Sequence, residues 1–363
     1  MPKRVRSTTR DLTKPHEFPE VRVVSGAAFE LAAELAAFTS GPARASLDSG
    51  KAWIRDVRSL AGIELIKRVE RYGLGVFAEL ATIALEAPPP RGVAELIAAL
   101  EARPSDELRW RLLGADSPLN QSMVAEGAFE RAVAGDATAR LSIPAALGAD
   151  RAARLAIQRL LDADPAATKA EILAIVADWA ERVFPRFAPD AIAAIERDAA
   201  AKERQLAAEP GEAVLATATS GVAFSPSPWV TGIVIVPTVA LRPFIVPTEL
   251  HQTAVFLYSV ADEAFDMDPA APPRRLVKVA AALGDELRLR ILHVLRDEQL
   301  SASEIAERLD VDRTSLHHHL GILRSAGLLS IRDEGVRGWR YALRQDGLEG
   351  VGPALASYLR PPP

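Results

Sequence analysis

The sequence predicts a mainly α protein with a small β component: a large N-terminal α+β region, then a compact C-terminal unit of short helices and a hairpin. Three observations carry this. The chain has 363 residues, 49% apolar and 25% charged, which is long enough for two domains and ordinary for a globular protein. From about Val21 to Ala208 apolar residues recur at three- and four-residue spacing in alanine-rich stretches, the helical period. After Gly211 the pattern changes to short β-branched and aromatic runs, and a second unit with its own pattern follows an acidic, proline-rich segment.

Taken in order, residues 1–20 read as a polar, disordered basic arm whose Lys3, Arg4, Arg6 and Arg10 are solvated, contact with phosphates being the alternative. No apolar stretch follows them, so they do not read as a signal peptide, and a cytoplasmic location is expected. "SGAAFELAAELAAF" and "KAEILAIVADWAERVF" exemplify the helices of the region 21–268. "EAPPPRG" at Glu86–Gly92, "ARPSDE" at Ala102–Glu107 and "DADPAAT" at Asp162–Thr168 punctuate them. "TGIVIV", "ALRPFIV" and "TAVFLYSV" predict three strands. The most apolar stretch, Val230–Thr248, contains Arg242 and three prolines, which argues against a membrane span. Asp262–Pro273 is acidic and proline-rich, with 269–273 taken as the linker proper. Residues 274–345 form the second unit, and 346–363 a final helix and tail.

That unit begins with two helices broken at Gly284-Asp285, the first burying Leu276, Val279, Ala280 and Leu283, the second Leu287, Ile291, Leu292 and Leu295. In "LSASEIAERL" Ser301 is a good N-cap, and Glu304 three residues later completes a capping box. After the turn "DVD", Asp312 caps the next helix. Two short helices joined so tightly are a helix-turn-helix. "LLSIRDEGVRGWRYALR" then alternates around Gly335–Gly338 as a hairpin, which makes the unit a winged helix.

His317, His318 and His319 are three of the six histidines in the chain. Successive helical residues point about 100° apart, so the three cannot share one ion, which needs i,i+3 or i,i+4 spacing. Leu316, Leu320 and Leu323 make the buried stripe, with His319 packed beside it. His317, Arg313, Thr314, Gly321 and Arg324 fall on the outer face and His318 between. Such side chains can reach base edges and phosphates in a major groove. A bare Cα at Gly321, which costs about 1 kcal/mol of helix propensity, would allow close approach. An inert surface run of histidines is the competing reading. From Pro272 to Gln345 the unit carries 13 Lys and Arg against 10 Asp and Glu, whereas the whole chain is at −5. A basic module on an acidic body points to a polyanion.

"ALGDELRLRILHVL", "SASEIAERLDVDRTSLHHHLGILRSAGLL" and "IRDEGVRGWRYAL" resemble the ArsR-type winged-helix regulators over about Arg274–Arg344. The resemblance is to the long form with an extra N-terminal domain. It implies a homodimer, most simply a repressor, that binds double-stranded operator DNA and is released by a signal. The expected DNA-contacting residues are Arg313, Thr314, Ser315, His317, His318, Arg324, Arg337 at the wing tip and Arg340. Many members sense metal through a Cys-x-Cys, where this chain has Ser301-Ala302-Ser303. With no cysteine anywhere, no metal site and no cofactor is expected.

Residues 21–268 contain no Gly-rich phosphate loop, HExxH or serine elbow, so no enzymatic activity is expected. The alternative is an enzyme or assembly protein whose winged helix mediates protein contacts. Trp229, Arg242, Phe244, His251 and Tyr258 stand out among the strands. They either line a pocket for a small organic effector, Arg242 fixing an acidic group, or pack a strand layer on helices with Arg242 in an ion pair.

Overall fold

The computed structural model describes residues 18–41, 44, 47–148, 151–219, 221–265, 272, 274–333 and 339–359. The elements run β1 (Glu20–Val23), α1 (Ala27–Phe38), α2 (Gly50–Val69), α3 (Leu74–Glu86), α4 (Val93–Ala102), α5 (Ser105–Leu112), α6 (Pro118–Ser122), α7 (Ala128–Val133), α8 (Ala137–Leu147), α9 (Arg151–Asp162), α10 (Pro165–Arg182), α11 (Phe184–Leu206) and α12 (Gly211–Ala218). There follow β2 (Val222–Phe224), β3 (Gly232–Thr238), β4 (Val246–Leu250), β5 (Thr253–Ser259), α13 (Arg274–Leu283), α14 (Glu286–Val294), β6 (Leu300–Ser301), α15 (Ala302–Leu309), α16 (Arg313–Ser325), β7 (Leu329–Asp333), β8 (Trp339–Leu343), α17 (Gln345–Glu349) and α18 (Val351–Tyr358). The fold is mainly α with two small sheets.

The first sheet has the order β1-β3-β5-β4, with β1, β3 and β5 parallel and β4 antiparallel to β5. β3, "GIVIVPT", is apolar along its length because both its faces are covered. Side chains alternate across a strand, so Val234, Val236, Val255 and Leu257 enter one core with α1, α3 and α10. Ile233, Ile235, Phe256 and Tyr258 enter a second core, which continues into the C-terminal module.

α1 is buried all round from Ala28 to Phe38, which forces two carboxylates inside. Glu30 accepts the N–H groups of Val239 and Ala240 at 2.9 Å each, and Glu34 accepts the indole N–H of Trp179 at 2.8 Å. Burial pushes the Glu30 carboxyl up to about 7 and that of Glu34 well above the usual range.

The structure differs from the sequence reading at several places. The expected arm is outside the described residues up to position 17, but Glu20 already pairs in β1. The segment "ALRPFIV" is not a strand: residues 240–243 form a turn, closed by Phe244 N–H on the Leu241 carbonyl at 2.7 Å, and β4 begins at Val246. Pro243 has no N–H to donate to a ladder, and Arg242 is drawn inward by acidic partners. In α13, Ala282 rather than Ala280 joins Val279 in the core. Of the expected linker 269–273, only residue 272 and nothing before it is described.

The second sheet has the order β2-β7-β8-β6. β7 and β8 are the antiparallel hairpin, and β2, from the N-terminal region, adds to β7 in parallel. Ile291, Leu292, Leu295, Ile305, Leu309, Leu316, Leu320, Leu323 and Ile331 fill the module's share of the second core. Among the described residues no helix is long and apolar enough to cross a membrane.

Candidate nucleic-acid interface

The helix-turn-helix is built by its caps. Ser301 Oγ accepts the Glu304 N–H at 3.3 Å, and Glu304 Oε2 accepts the Ser301 N–H at 2.7 Å, so α15 opens on a complete capping box. The Ser301 N–H first, and then the Ser301 hydroxyl, hold the Glu304 carboxyl below its usual range. α15 stops at Asp310, which takes the left-handed conformation, φ 53°, that short acidic and amide side chains tolerate. The Val311 N–H returns to the Ala306 carbonyl at 3.1 Å, and Asp312 Oδ2 accepts the Ser315 N–H at 3.0 Å to start α16.

α16 then sorts its side chains by helical period. Leu316, Leu320 and Leu323 are fully buried. His319 lies at the edge of that stripe with Nδ1 3.7 Å from Asp285 Oδ1, and burial holds its pKa below the ordinary imidazole value. Ser315, His317 and His318 are exposed on the first two turns. The His318 and His319 rings are 5.7 Å apart, edge to face. Among the described residues no three His, Asp or Glu side chains converge as metal ligands would. Only the backbone of Arg313 and Thr314 is described, and Arg337 lies outside the described residues.

Two residues expected on the outer face are not free. Gly321 is buried, and a Cβ built on it would stand 3.3 Å from Phe244 Cε1. Its missing side chain makes room for an aromatic ring of the N-terminal region. Arg324 is only 5% exposed. It donates from Nη2 to the Pro243 carbonyl at 2.9 Å, and its Cζ lies 5.6 Å from the Phe244 ring centre. Burial lowers its pKa to about 10. The reason is tertiary in part: helical period places Gly321 on the side away from the leucine stripe and Arg324, four residues after Leu320, on its flank, and the turn after β3 covers both.

On the wing, Arg340 donates to the Gln299 carbonyl at 2.6 Å and lies 3.5 Å from Glu304 Oε2, half-exposed. Its cross-strand partner in β7 is Arg332, which is exposed. Arg332 is absent from the expected contact set, yet alternation could have found it: Ile331 is buried, so Arg332 must face outward. Like charges directly opposite each other destabilise a sheet unless something anionic lies over them.

The five candidate pocket residues do not come together. Arg242 is buried, with Nε 3.2 Å from Asp48, Nη1 donating to the Val260 carbonyl, Nη2 paired with Asp262, and Phe265 under the guanidinium at 4.9 Å. Tyr258 donates to buried Asp198, which holds the phenol above its usual range after desolvation has raised it. Trp229 is half-buried against the second core, and His251 is exposed in the turn between β4 and β5. Phe244 is the residue on Gly321. Arg242 and Tyr258 alone share a polar cleft of about 150 Å³ with Lys202, Lys278 and Ser325. Lys278 Nζ is 2.8 Å from Asp48 and 3.4 Å from Asp262, linking α13 to the same cluster.

A helix-turn-helix domain family matches residues 283–332. Over 60 residues the chain is 38% identical to the transcriptional activator HlyU of Vibrio cholerae, a span of 16% of this chain and 56% of that protein. Over 57 residues it is 35% identical to the transcriptional repressor SdpR of Bacillus subtilis, 16% of this chain and 63% of that protein. The chain thus spans somewhat more than half the length of these curated relatives. Caps, leucine stripe, hairpin and likenesses agree: this chain carries a C-terminal helix-turn-helix domain similar to those of transcription regulators.

Proposed function

We propose that the chain is a sequence-specific, DNA-binding transcriptional regulator of the cytoplasm, a repressor that acts as a homodimer. The observation that carries this is a rigidly capped α16 whose first two turns expose Ser315, His317 and His318, beside a wing that sets Arg332 opposite Arg340. In this reading the first turns of α16, with Arg313 and Thr314, meet base edges in the major groove. Arg332, Arg340 and Arg337 meet phosphates, and Arg324 joins them only when it leaves the Pro243 carbonyl. Base contacts supply discrimination, about 1–3 kcal/mol for a good bidentate pair, and phosphate contacts supply affinity and salt dependence.

Dimerisation is supported by an exposed apolar surface on the module's outer helices. Val277 on α13, Leu289 on α14 and Leu355, Tyr358 and Leu359 at α18 are exposed, and α13 packs against α18. A two-fold pairing of this surface would present two copies of α16 to half-sites about 34–36 Å apart. Residues 21–268 then serve as sensor for a small organic effector or as a further dimer contact, 269–273 as the linker, and 274–345 as the DNA-binding domain. Titration of a duplex from the chain's own upstream region against a scrambled duplex tests the reading. A shared affinity for both at all salt concentrations would exclude it, and higher transcription from that region in a deletion strain would assign repression.

A further inference from the structure

Gly321 and Arg324 follow His317 on α16 by four and seven residues, so the three directions fall within about 60° of one another and form one stripe. The stripe is open at its N-terminal end, where His317 is exposed, and covered at its C-terminal end, where the Phe244 ring sits on Gly321 and the Pro243 carbonyl accepts from Arg324. Gly321 is one turn, about 6 Å, beyond His317. A helix that reads bases lies in a groove about 8.5 Å deep and 12 Å wide, with sugar-phosphate walls on both flanks. A ring and a main-chain turn on the reading stripe, one turn from the base-reading residue, occupy the space those walls need.

Arg324 adds a second observation. Among the described residues it meets the Pro243 carbonyl, the Phe244 ring and the field of the Tyr341 phenol, not a carboxylate, and its buried Nε has no acceptor. A buried cation without an anionic partner is costly, whereas a phosphate oxygen is a charge-assisted acceptor that suits a guanidinium well. Lys278, bonded to Asp48 and Asp262, gives the same docking a second anchor 46 residues earlier in the module.

From these contacts we infer that this stripe of α16 serves two partners in turn, the Arg242–Phe244 turn of the same chain and duplex DNA, and that the arrangement described here is the one that excludes DNA. The inference rests on the DNA-binding reading above. Opening must part Phe244 from Gly321, Arg324 from Pro243 and Lys278 from Asp48 and Asp262. It frees the guanidinium to pair with phosphate, so DNA and the docked turn compete for one residue.

The chain has no cysteine, so a lock can be installed cleanly. Asp48→Cys with Lys278→Cys places two thiols where charged ends lie 2.8 Å apart, off the reading stripe. A short, reductant-cleavable bismaleimide would be applied to this otherwise full-length variant, and binding measured on a random-sequence 30-base-pair duplex pool at low salt. The expected result is that the linked protein binds at least about tenfold more weakly than the same sample after cleavage, and that prior addition of duplex slows linking. Equal binding before and after cleavage, or failure of the thiols to link in free protein, overturns the inference while leaving DNA binding intact. Absence of binding by wild-type protein, by the cleaved variant and by folded Phe244→Ala protein alike overturns the DNA-binding reading itself, and the inference with it. Phe244→Ala, which removes the ring and leaves α16 untouched, should bind the pool more tightly than wild type, and unchanged or weaker binding by a folded Phe244→Ala protein counts against the inference.

Discussion

Arg242→Met separates two roles that the sequence leaves open for this residue. If Arg242 holds an effector, its loss should spare the fold. The structure instead gives it two carboxylates, a carbonyl and a ring. Removing one partner of a buried ion pair costs about 3–5 kcal/mol, because an unpaired charge is left behind. Here Asp48 and Asp262 retain 27% and 16% exposure and both keep Lys278. That discounts the cost to about 2–3 kcal/mol, still a large part of the roughly 5–15 kcal/mol that holds a typical protein folded. The effect should depend on pH with a defined sign. Burial opposes ionisation of Asp262, but Lys278 and Arg242 more than offset it and hold its carboxyl below the usual range. A depressed folded value stabilises above the unfolded value and is lost as pH falls through the folded one, so the gap between wild type and variant should narrow below about pH 4. Urea unfolding followed by tryptophan fluorescence at pH 7 and across the acid limb measures both quantities. A loss below about 0.5 kcal/mol at pH 7, the level of an ordinary surface substitution, would refute the structural role.

Leu323→Ala, at a fully buried position of α16, should cost about 2–5 kcal/mol and release the module's cooperative unfolding, seen by hydrogen exchange of α14–α16. Burial raises Glu30 and Glu79 to about 7, so the folded protein binds their protons more tightly than the unfolded chain does. Stability should therefore fall as pH rises from about 4.5 to 7, and Glu30→Gln with Glu79→Gln should flatten that fall in urea titrations. Within that window His319, whose pKa burial lowers from 6.5, works in the opposite sense as pH drops. Arg332→Ala with Arg340→Ala should weaken DNA binding alike for operator and scrambled sequence and flatten the salt slope by up to about 0.9 for each phosphate lost. A change in the operator-to-scrambled ratio instead would assign the wing a base-reading role.

What was legible in the sequence was local. The capping box of Ser301 and Glu304 and the Asp312 cap need only neighbours three residues away, and both are present as read. The leucines of α16 and the hairpin follow from periods of 3.6 and 2. The misses are tertiary. β1 and β2 are four and three residues long and pair with strands more than a hundred residues away, so no local pattern marks them. "ALRPFIV" has strand composition, yet Pro243 and the pull of Asp48 and Asp262 on Arg242 turn it. Helical period puts Gly321 on the outer side of α16 and Arg324 on the flank of the leucine stripe, but which partner waits there depends on the β3–β4 turn, about 80 residues earlier in the chain. Arg332 follows from strand alternation alone, because Ile331 before it is buried.

The most direct test of the central claim is selection of duplexes from a random-sequence pool by the full-length protein, with the enriched sequences then titrated against scrambled controls at physiological salt. The expected outcome is a two-fold symmetric motif whose half-sites are centred about 10–10.5 base pairs, or a multiple, apart, bound at least about a thousandfold more tightly than scrambled DNA. Enrichment of no motif, with binding that varies with salt but not with sequence, would contradict it.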